Sequence, residues 1–116
     1  MMVCVRLPLR IVSEANSSDH WRKVAARKKT HRSTARLVLK KHARPVTDGQ
    51  IKISLIRLAP RVLDGDNLQS GFKATRDGVA DWLGIDDGSA RLKWAYHQER
   101  GAAKEYAAIV QIEWNV

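Results

Sequence analysis

The fold is decided by residues 51–88, IKISLIRLAPRVLDGDNLQSGFKATRDGVADWLGIDDG. Residues 51–58 are aliphatic-rich and begin with the apolar–polar alternation of a half-buried strand, which Pro60 ends. A helix is predicted over residues 67–83, because Gly84 follows it and apolar residues recur at helical spacing. Its apolar face comprises Leu68, Phe72, Thr75, Val79, Trp82 and Leu83. Acidic turns are expected at both ends of this helix.

The remaining elements follow from the sequence on either side. Residues 3–7 predict a first strand, and residues 20–41 a helix that follows the cap-rich loop 16–19. Ser18 or Asp19 is the expected N-cap of that helix. Residues 91–99 and 106–114 predict two strands, joined by a hairpin turn at residues 100–103. The order β-α-β-α-β-β indicates a single α+β domain over residues 1–116, a small mixed sheet with two helices.

Composition excludes several classes of protein. No apolar run approaches the ~20 residues of a membrane span, and the first residues lack an apolar signal core, so we expect a cytoplasmic protein. The single cysteine, Cys4, excludes an internal disulfide and a multi-cysteine zinc site, and we expect it to be buried in the first strand. No phosphate-binding loop of the G-x-x-x-x-G-K type is present, which argues against nucleotide hydrolysis.

Charge is distributed unevenly along the chain. The net charge is +9, and residues 20–47 contain ten of the 21 Lys and Arg residues with no Asp or Glu. Such a basic block attracts polyanions, and counterion release makes nucleic acid the expected partner. The alternative is a solvated helix that happens to be basic.

Six of the twelve acidic residues lie within residues 64–87, and all six are Asp. Asp66 could be the N-cap of the second helix, which would leave Asp64 unexplained. Two like charges about 4 Å apart cost on the order of 4 kcal/mol at an effective dielectric near 20. A divalent cation offsets that cost, and all-oxygen ligands favour magnesium, manganese or calcium.

Helical spacing places Asp66, Lys73 and Asp77 on one stripe, opposite the apolar face. The alternative is an exposed Lys73–Asp77 pair worth a few tenths of a kcal/mol. Arg76 and Asp81 are expected to be surface residues of the same helix. The Asp86-Asp87-Gly88 segment could be only a turn. If the next strand pairs beside residues 51–58, however, Asp87 returns toward the start of the helix.

These residues resemble the RusA family of Holliday-junction resolvases, which includes phage-encoded members. The family pattern is D-x-D-N-L, a lysine, an aspartate one turn later and a D-D element. Here it corresponds to residues 64–68, Lys73, Asp77 and Asp86-Asp87. The segment 72–88 and the upstream Asn16…His20-Trp21-Arg22 are also similar in character. The likeness covers most of the chain in element order, but its specific part is about 25 residues.

The resemblance implies a magnesium-dependent endodeoxyribonuclease, with manganese as an alternative metal, that acts as a homodimer on four-way DNA junctions in a bacterial cell and is encoded by the host or by a prophage. It makes Asp64, Asp66 and Asp87 the metal ligands and gives Lys73 a catalytic role. One departure concerns the lysine, which in better-known members lies at the position that Ser70 holds here. Whether Asp86 or Asp87 is the ligand stays open, with Asp87 preferred.

The first helix is then the expected DNA-binding element, through Arg22, Lys23, Arg27, Lys28, Lys29, Arg32 and Arg36. Three histidines spaced eleven residues apart, His20, His31 and His42, lie too far apart for one metal ion and are expected to add positive charge to the DNA-facing side. Trp94 and Trp114 are expected in the core, whereas the position of Trp21 is ambiguous.

Two other functions remain compatible with the residues. A non-catalytic protein that binds branched DNA could retain the scaffold, since Ser70 occupies the usual lysine position. A basic protein could also mask an acidic partner.

Overall fold

The computed structural model describes residues 1–14 and 18–115, and within them it contains a four-stranded sheet and two helices. Asn16 and Ser17 of the predicted cap-rich loop lie outside the described residues. The predicted α+β class and the predicted element order are confirmed. The elements are β1 (Met2–Leu7), α1 (Trp21–Leu39), β2 (Ile51–Ala59), α2 (Gly65–Leu83), β3 (Leu92–Arg100) and β4 (Ala107–Trp114).

The strand order is β1-β4-β2-β3, with β2 parallel to β3 and β4 antiparallel to both β1 and β2. The predicted hairpin between the last two strands is therefore wrong. After α2 has packed on the sheet, the chain re-enters parallel to β2, as a strand–helix–strand crossover requires. This pairing extends from Ile51↔Leu92 to Ala59↔Arg100, so β4 takes the other side of β2.

Alternate residues of the strands face the helices and form the core. On β2 these are Ile51, Ile53 and Leu55, and on β4 they are Val110 and Ile112, all almost fully buried. The predicted apolar face of α2 is confirmed, since all six of its residues are buried against this layer.

The two helices cross at Gly78. A Cβ atom there would lie 2.3 Å from the carbonyl oxygen of Arg32 and 2.9 Å from the Cβ of Ala35 on α1. The missing side chain therefore lets the helix backbones approach closely, and it sets how α1 lies over α2.

Cys4 is exposed, which corrects the expectation that it is buried. In β1 the alternation points Val5 and Leu7 toward the helices, so Cys4 and Arg6 project from the opposite face. The cysteine thus follows the strand period and not its own apolar preference.

Helix α1 differs from the prediction in its cap and its orientation. His20 is the N-cap in place of Ser18 or Asp19, and its Nδ1 accepts a hydrogen bond from the Arg22 backbone N–H at 3.2 Å. His31 is buried and burial lowers its pKa, so it adds no charge to an outer face. Trp21 is exposed, and its ring lies beside Arg22. Neither α1 nor α2 is long and apolar enough to cross a membrane.

Candidate active site along helix α2

The start of α2 is capped by Asp64 and not by Asp66. Oδ1 of Asp64 accepts a hydrogen bond from the backbone N–H of Asn67 at 3.0 Å, and Oδ2 accepts one from its side-chain amide at 3.0 Å. Asp66 lies exposed in the first turn, where the helix dipole favours a carboxylate. Helix capping thus accounts for Asp64, the residue that the sequence left unexplained.

The loop that leads into α2 is held by side chains of the sheet. Gln98 on β3 hydrogen-bonds both backbone groups of Leu63, donating to its carbonyl at 2.7 Å and accepting from its N–H at 2.8 Å. Arg57 at the end of β2 donates to the carbonyl oxygen of Arg61. These bonds set the position of Asp64. The sequence did not point to Gln98, whose partner lies 35 residues away.

Asp87 returns to the side of α2. Gly84 ends the helix in the left-handed conformation, with φ of 69°, and the chain then turns back toward β3. Oδ2 of Asp87 accepts hydrogen bonds from Nζ of Lys73 and from Nε of Arg76, both at 3.1 Å. Because Lys73 also donates to Asp77 at 2.8 Å, the structure brings Lys73, Asp77 and Asp87 together.

Arg76 is part of this cluster and is not a free surface residue as expected. Its Nη2 donates to the Asp87 carbonyl at 3.0 Å, its Nη1 donates to the Tyr96 hydroxyl at 2.9 Å, and its guanidinium lies 4.5 Å from the Trp94 ring centre. Trp94 is half-buried and donates its indole N–H to the same carbonyl at 2.9 Å. The alternation that points Trp94 and Tyr96 toward the helices was the available sequence signal.

The ion pairs of this cluster favour its charged forms. The hydrogen bond from Lys73 lowers the pKa of Asp87, against the effect of desolvation, and the charges of Lys73 and Arg76 lower it further. The hydrogen bond to Asp77 raises the pKa of Lys73. Asp87 is therefore a carboxylate and Lys73 an ammonium at neutral pH.

Asp87 meets the middle of α2 and not its start. Lys73 is seven positions after Asp66, about 10.5 Å along the helix axis. Within residues 1–14 and 18–115 no group of three His, Cys, Asp or Glu side chains could hold a metal ion. The predicted ligands are thus divided, with Asp64 and Asp66 at the helix start and Asp87 farther along.

An open cleft of about 520 Å³, the acidic cleft, lies beside the second half of α2. It is lined mainly by Asp77, Asp81, Asp86, Asp87 and Arg32. Arg32 of α1 binds Asp81 through both carboxylate oxygens, at 2.7 and 2.9 Å. Oδ1 of Asp86 accepts from the Gly88 N–H at 2.8 Å, so this residue shapes the turn while Asp87 contacts the helix.

Part of the predicted basic surface is occupied by intramolecular ion pairs. Arg27 binds both carboxylate oxygens of Glu14, at 2.7 and 2.8 Å, and one oxygen of Asp19 at 3.0 Å. The side chain of Arg27 is only 17% exposed, so we remove it from the DNA-binding set. Lys23 lies 3.6 Å from Asp19 in an exposed pair.

Four basic residues of the predicted set are exposed and outside these ion pairs, and three of them share one side of α1. Arg22, Lys29 and Arg36 are exposed and spaced by seven residues, so they form a stripe that drifts by about 20° per step. Lys28 is also exposed and lies to one side of this stripe. The stripe, called here the basic stripe, is the surface from which α1 can contact phosphates.

No family model and no curated protein matches this chain. One solved structure with some similarity is that of 2C-methyl-D-erythritol-2,4-cyclodiphosphate synthase, at 19% identity and a TM-score of 0.34. The alignment covers 74% of this chain and 50% of the synthase chain, so this chain spans half the length of that protein. At such a TM-score the likeness carries no argument about function.

Proposed function

We propose that this chain is a magnesium-dependent endodeoxyribonuclease that resolves branched DNA by hydrolysis of phosphodiester bonds, as the RusA resolvases that it resembles do. The observation that carries the proposal is the position of Asp87 beside Lys73 and Asp77, on the same helix that Asp64 and Asp66 begin. Lys73 and Asp87, which are 14 positions apart in sequence, are in contact beside the helix that begins with the acidic residues Asp64 and Asp66. A helix cap and a turn would not require that meeting.

Asp64 and Asp66 at the start of α2 are the proposed ligands of magnesium, whereas Asp87, the third ligand that the resemblance implies, lies farther along the helix and is bound by Lys73 and Arg76. Magnesium in such sites is commonly held by one or two carboxylates, together with waters and substrate phosphates, so the pair at the helix start is a sufficient anchor. A bound magnesium ion would supply charge stabilisation at the phosphate and lower the pKa of a water ligand. Manganese prefers the same oxygen ligands and is the expected substitute.

Lys73 is the proposed residue for contact with the scissile phosphate. Its ammonium is held by Asp77 and its side chain is 58% exposed, so it can reach a ligand without leaving the helix side. The basic stripe would bind the flanking DNA backbone. Paired cuts in opposed strands of a junction require two equivalent sites, which a two-fold homodimer supplies.

A second function, binding of branched DNA without cleavage, is favoured by one specific observation. Asp87 is neutralised by Lys73 and Arg76, and among the described residues no three His, Cys, Asp or Glu side chains are placed to bind one metal ion. In that case the cluster around Asp87 would serve to fix the turn between α2 and β3.

The deciding experiment is cleavage of a synthetic four-way junction with magnesium, comparing the wild type with Asp66→Asn. The catalytic proposal expects paired symmetric nicks from the wild type, a loss of at least about 100-fold in the variant, and unchanged junction binding. Asp48→Asn is the matched control, since Asp48 is exposed in a turn outside the acidic segment.

Binding by all three proteins without nicks, in magnesium or manganese, would select the non-catalytic function. Equal cleavage by the wild type and Asp66→Asn would remove Asp66 from the metal site. Failure of the wild type to bind the junction would reject both functions.

A further inference from the structure

A buried arginine lies at the carboxyl end of β2. Arg57 is 7% exposed, and its Nε donates to the Ile11 carbonyl at 2.9 Å. Its Nη1 donates to the Arg61 carbonyl and, at 3.4 Å, to the side-chain oxygen of Gln98. All of these acceptors are neutral. No carboxylate forms an ion pair with Arg57 anywhere in the described ranges 1–14 and 18–115.

Such an arrangement is costly, because buried charges in proteins are normally paired with an opposite charge. Burial lowers the pKa of Arg57, the positive charge of nearby Arg10 lowers it further, and Tyr106 opposes both effects. An arginine nevertheless stays protonated at neutral pH. The guanidinium is therefore a buried cation beside a second cation, and its Nη2 donates no hydrogen bond to a described residue.

Arg57 lines a cleft of about 360 Å³, called here the arginine cleft, together with Arg10, Ser13, Arg61 and Tyr106. None of the described residues that line it is acidic. The guanidinium of Arg10 lies 4.2 Å from the centre of the Tyr106 ring, which fixes its direction. The Ser13 hydroxyl, in the same wall, is buried and has no hydrogen-bond partner among the described residues.

The chemistry of this lining selects an anion with several acceptor oxygens. Three arginines line the cleft, and a guanidinium offers donors in the planar geometry that matches phosphate oxygens. A bound anion would also supply the counter-charge that Arg57 lacks. The cleft is next to the acidic segment in the chain, since Leu63 lines it and Asp64 follows.

We propose that the arginine cleft binds one phosphate group of the DNA backbone, adjacent to the site of cleavage. The assignment of DNA as the source rests on the proposed function, whereas the affinity for phosphate does not. Arg57 is the fixed element of the site, and Arg10 and Arg61 close on the phosphate from its exposed side.

The test uses metal-free protein and inorganic phosphate, followed by ³¹P NMR or calorimetry at constant ionic strength. Arg10→Gln and Arg61→Gln remove exposed guanidinium groups and leave the carbonyl of Arg61 in place, so Arg57 keeps its internal hydrogen bonds. Each variant is expected to bind phosphate about tenfold more weakly, as loss of a charge-assisted hydrogen bond implies. Arg6→Gln is the matched control, because Arg6 is exposed on β1 and does not line the cleft.

The same titration then includes a short single-stranded DNA as competitor. Displacement of phosphate by the DNA, and weaker DNA binding by Arg10→Gln than by Arg6→Gln, is the expected result. No phosphate binding by the wild type, or equal losses in the Arg10 and Arg6 variants, would overturn the site. Phosphate binding without displacement by DNA would overturn the assignment to the DNA backbone.

This test needs neither a metal ion nor a junction, so it is independent of the cleavage assay. A protein that binds phosphate in the cleft but cuts no junction retains the site and loses the nuclease proposal. A protein that cuts junctions but binds no phosphate retains the nuclease proposal and loses the site.

Discussion

At the scale of single residues, Asp64 has a structural role and a proposed chemical role in one side chain. Its Oδ1 accepts a hydrogen bond from the backbone N–H of Asn67, which is the bond of a helix cap, and its Oδ2 accepts one from the Asn67 side-chain amide. Asparagine caps helices about as well as aspartate but carries no charge. The two roles are therefore separable by substitution.

We expect Asp64→Asn to unfold in urea within about 0.5 kcal/mol of the wild type, and Asp64→Ala to be about 1 kcal/mol less stable. Junction cleavage with magnesium should be lost in both variants, because neither supplies a charged ligand. If Asp64→Asn cut junctions at the wild-type rate, Asp64 would be a cap and not a metal ligand.

The buried His31 makes stability depend on pH. Burial lowers its pKa in the folded protein, with Glu14 opposing and Arg27 adding to the effect. As the pH falls, His31 therefore takes up a proton at a higher pH in the unfolded chain than in the folded protein. Stability is therefore complete above the unfolded pKa near 6.5, and it falls as the pH is lowered through that value toward the folded pKa.

Denaturant unfolding at pH 7.5 and at pH 5.5 checks this prediction. The wild type should lose stability at the lower pH, and His31→Gln should lose less between the same two values. His42→Gln, which changes an exposed histidine, should behave as the wild type does. The same pH dependence in all three proteins would assign the effect to other groups.

At the scale of elements, the packing of α1 on α2 depends on Gly78. Alanine in an exposed helix is normally more stable than glycine by about 1 kcal/mol. Here the added Cβ would lie 2.3 Å from the Arg32 carbonyl oxygen, so the helices would have to separate. We therefore expect this contact, and not helix propensity, to decide whether alanine at position 78 stabilises or destabilises the protein.

We expect Gly78→Ala to destabilise the protein by about 1–3 kcal/mol, in the range of overpacked cores. The control is Gly65→Ala at the start of the same helix, where no atom lies within 4 Å of an added Cβ. That variant should be as stable as the wild type or more so in thermal unfolding. Equal stability of Gly78→Ala and the wild type would show that the crossing tolerates a wider separation.

At the scale of the whole molecule, the net charge is +9, and some of the 21 Lys and Arg residues form ion pairs while others do not. Arg27 and Arg32 are bound to carboxylates, whereas Arg22, Lys29 and Arg36 of the basic stripe are exposed and form no ion pair with another described residue. Only the unpaired cations can release counterions from DNA without first breaking an internal ion pair.

Replacement of the three stripe residues by glutamine should therefore reduce the slope of log K against log salt by about 3 for duplex or junction DNA. The Arg27→Gln/Arg32→Gln double variant should change that slope by less than 1, after correction for any loss of folding. Fluorescence anisotropy titrations of labelled DNA at about 50 to 200 mM salt measure the slope for each variant, because DNA affinity changes strongly over this range. A larger change from the double variant would place the DNA on the other side of α1.

Sequence periodicity was sufficient for those features that depend on neighbours within one or two turns. It predicted the order of elements, the buried face of α2 and the proximity of Lys73 to Asp77. It also located the acidic segment and the acid-free basic helix. The expectation that Cys4 is buried was wrong, and the position of Trp21 stayed ambiguous. Residue type alone does not show which face of the strand or helix these two side chains occupy.

The sequence by itself therefore determined the elements, their buried faces and the uneven distribution of charge, because each depends on local spacing and on solvation. Only the tertiary structure decided that β3 pairs with β2 and not with β4, that Glu14 neutralises Arg27, and that Arg76 holds Asp87. It alone placed Arg57 in a buried position where no carboxylate of the described residues pairs with it. These features join residues that are distant in sequence, and they arise from the competition among all possible packings of the helices on the sheet.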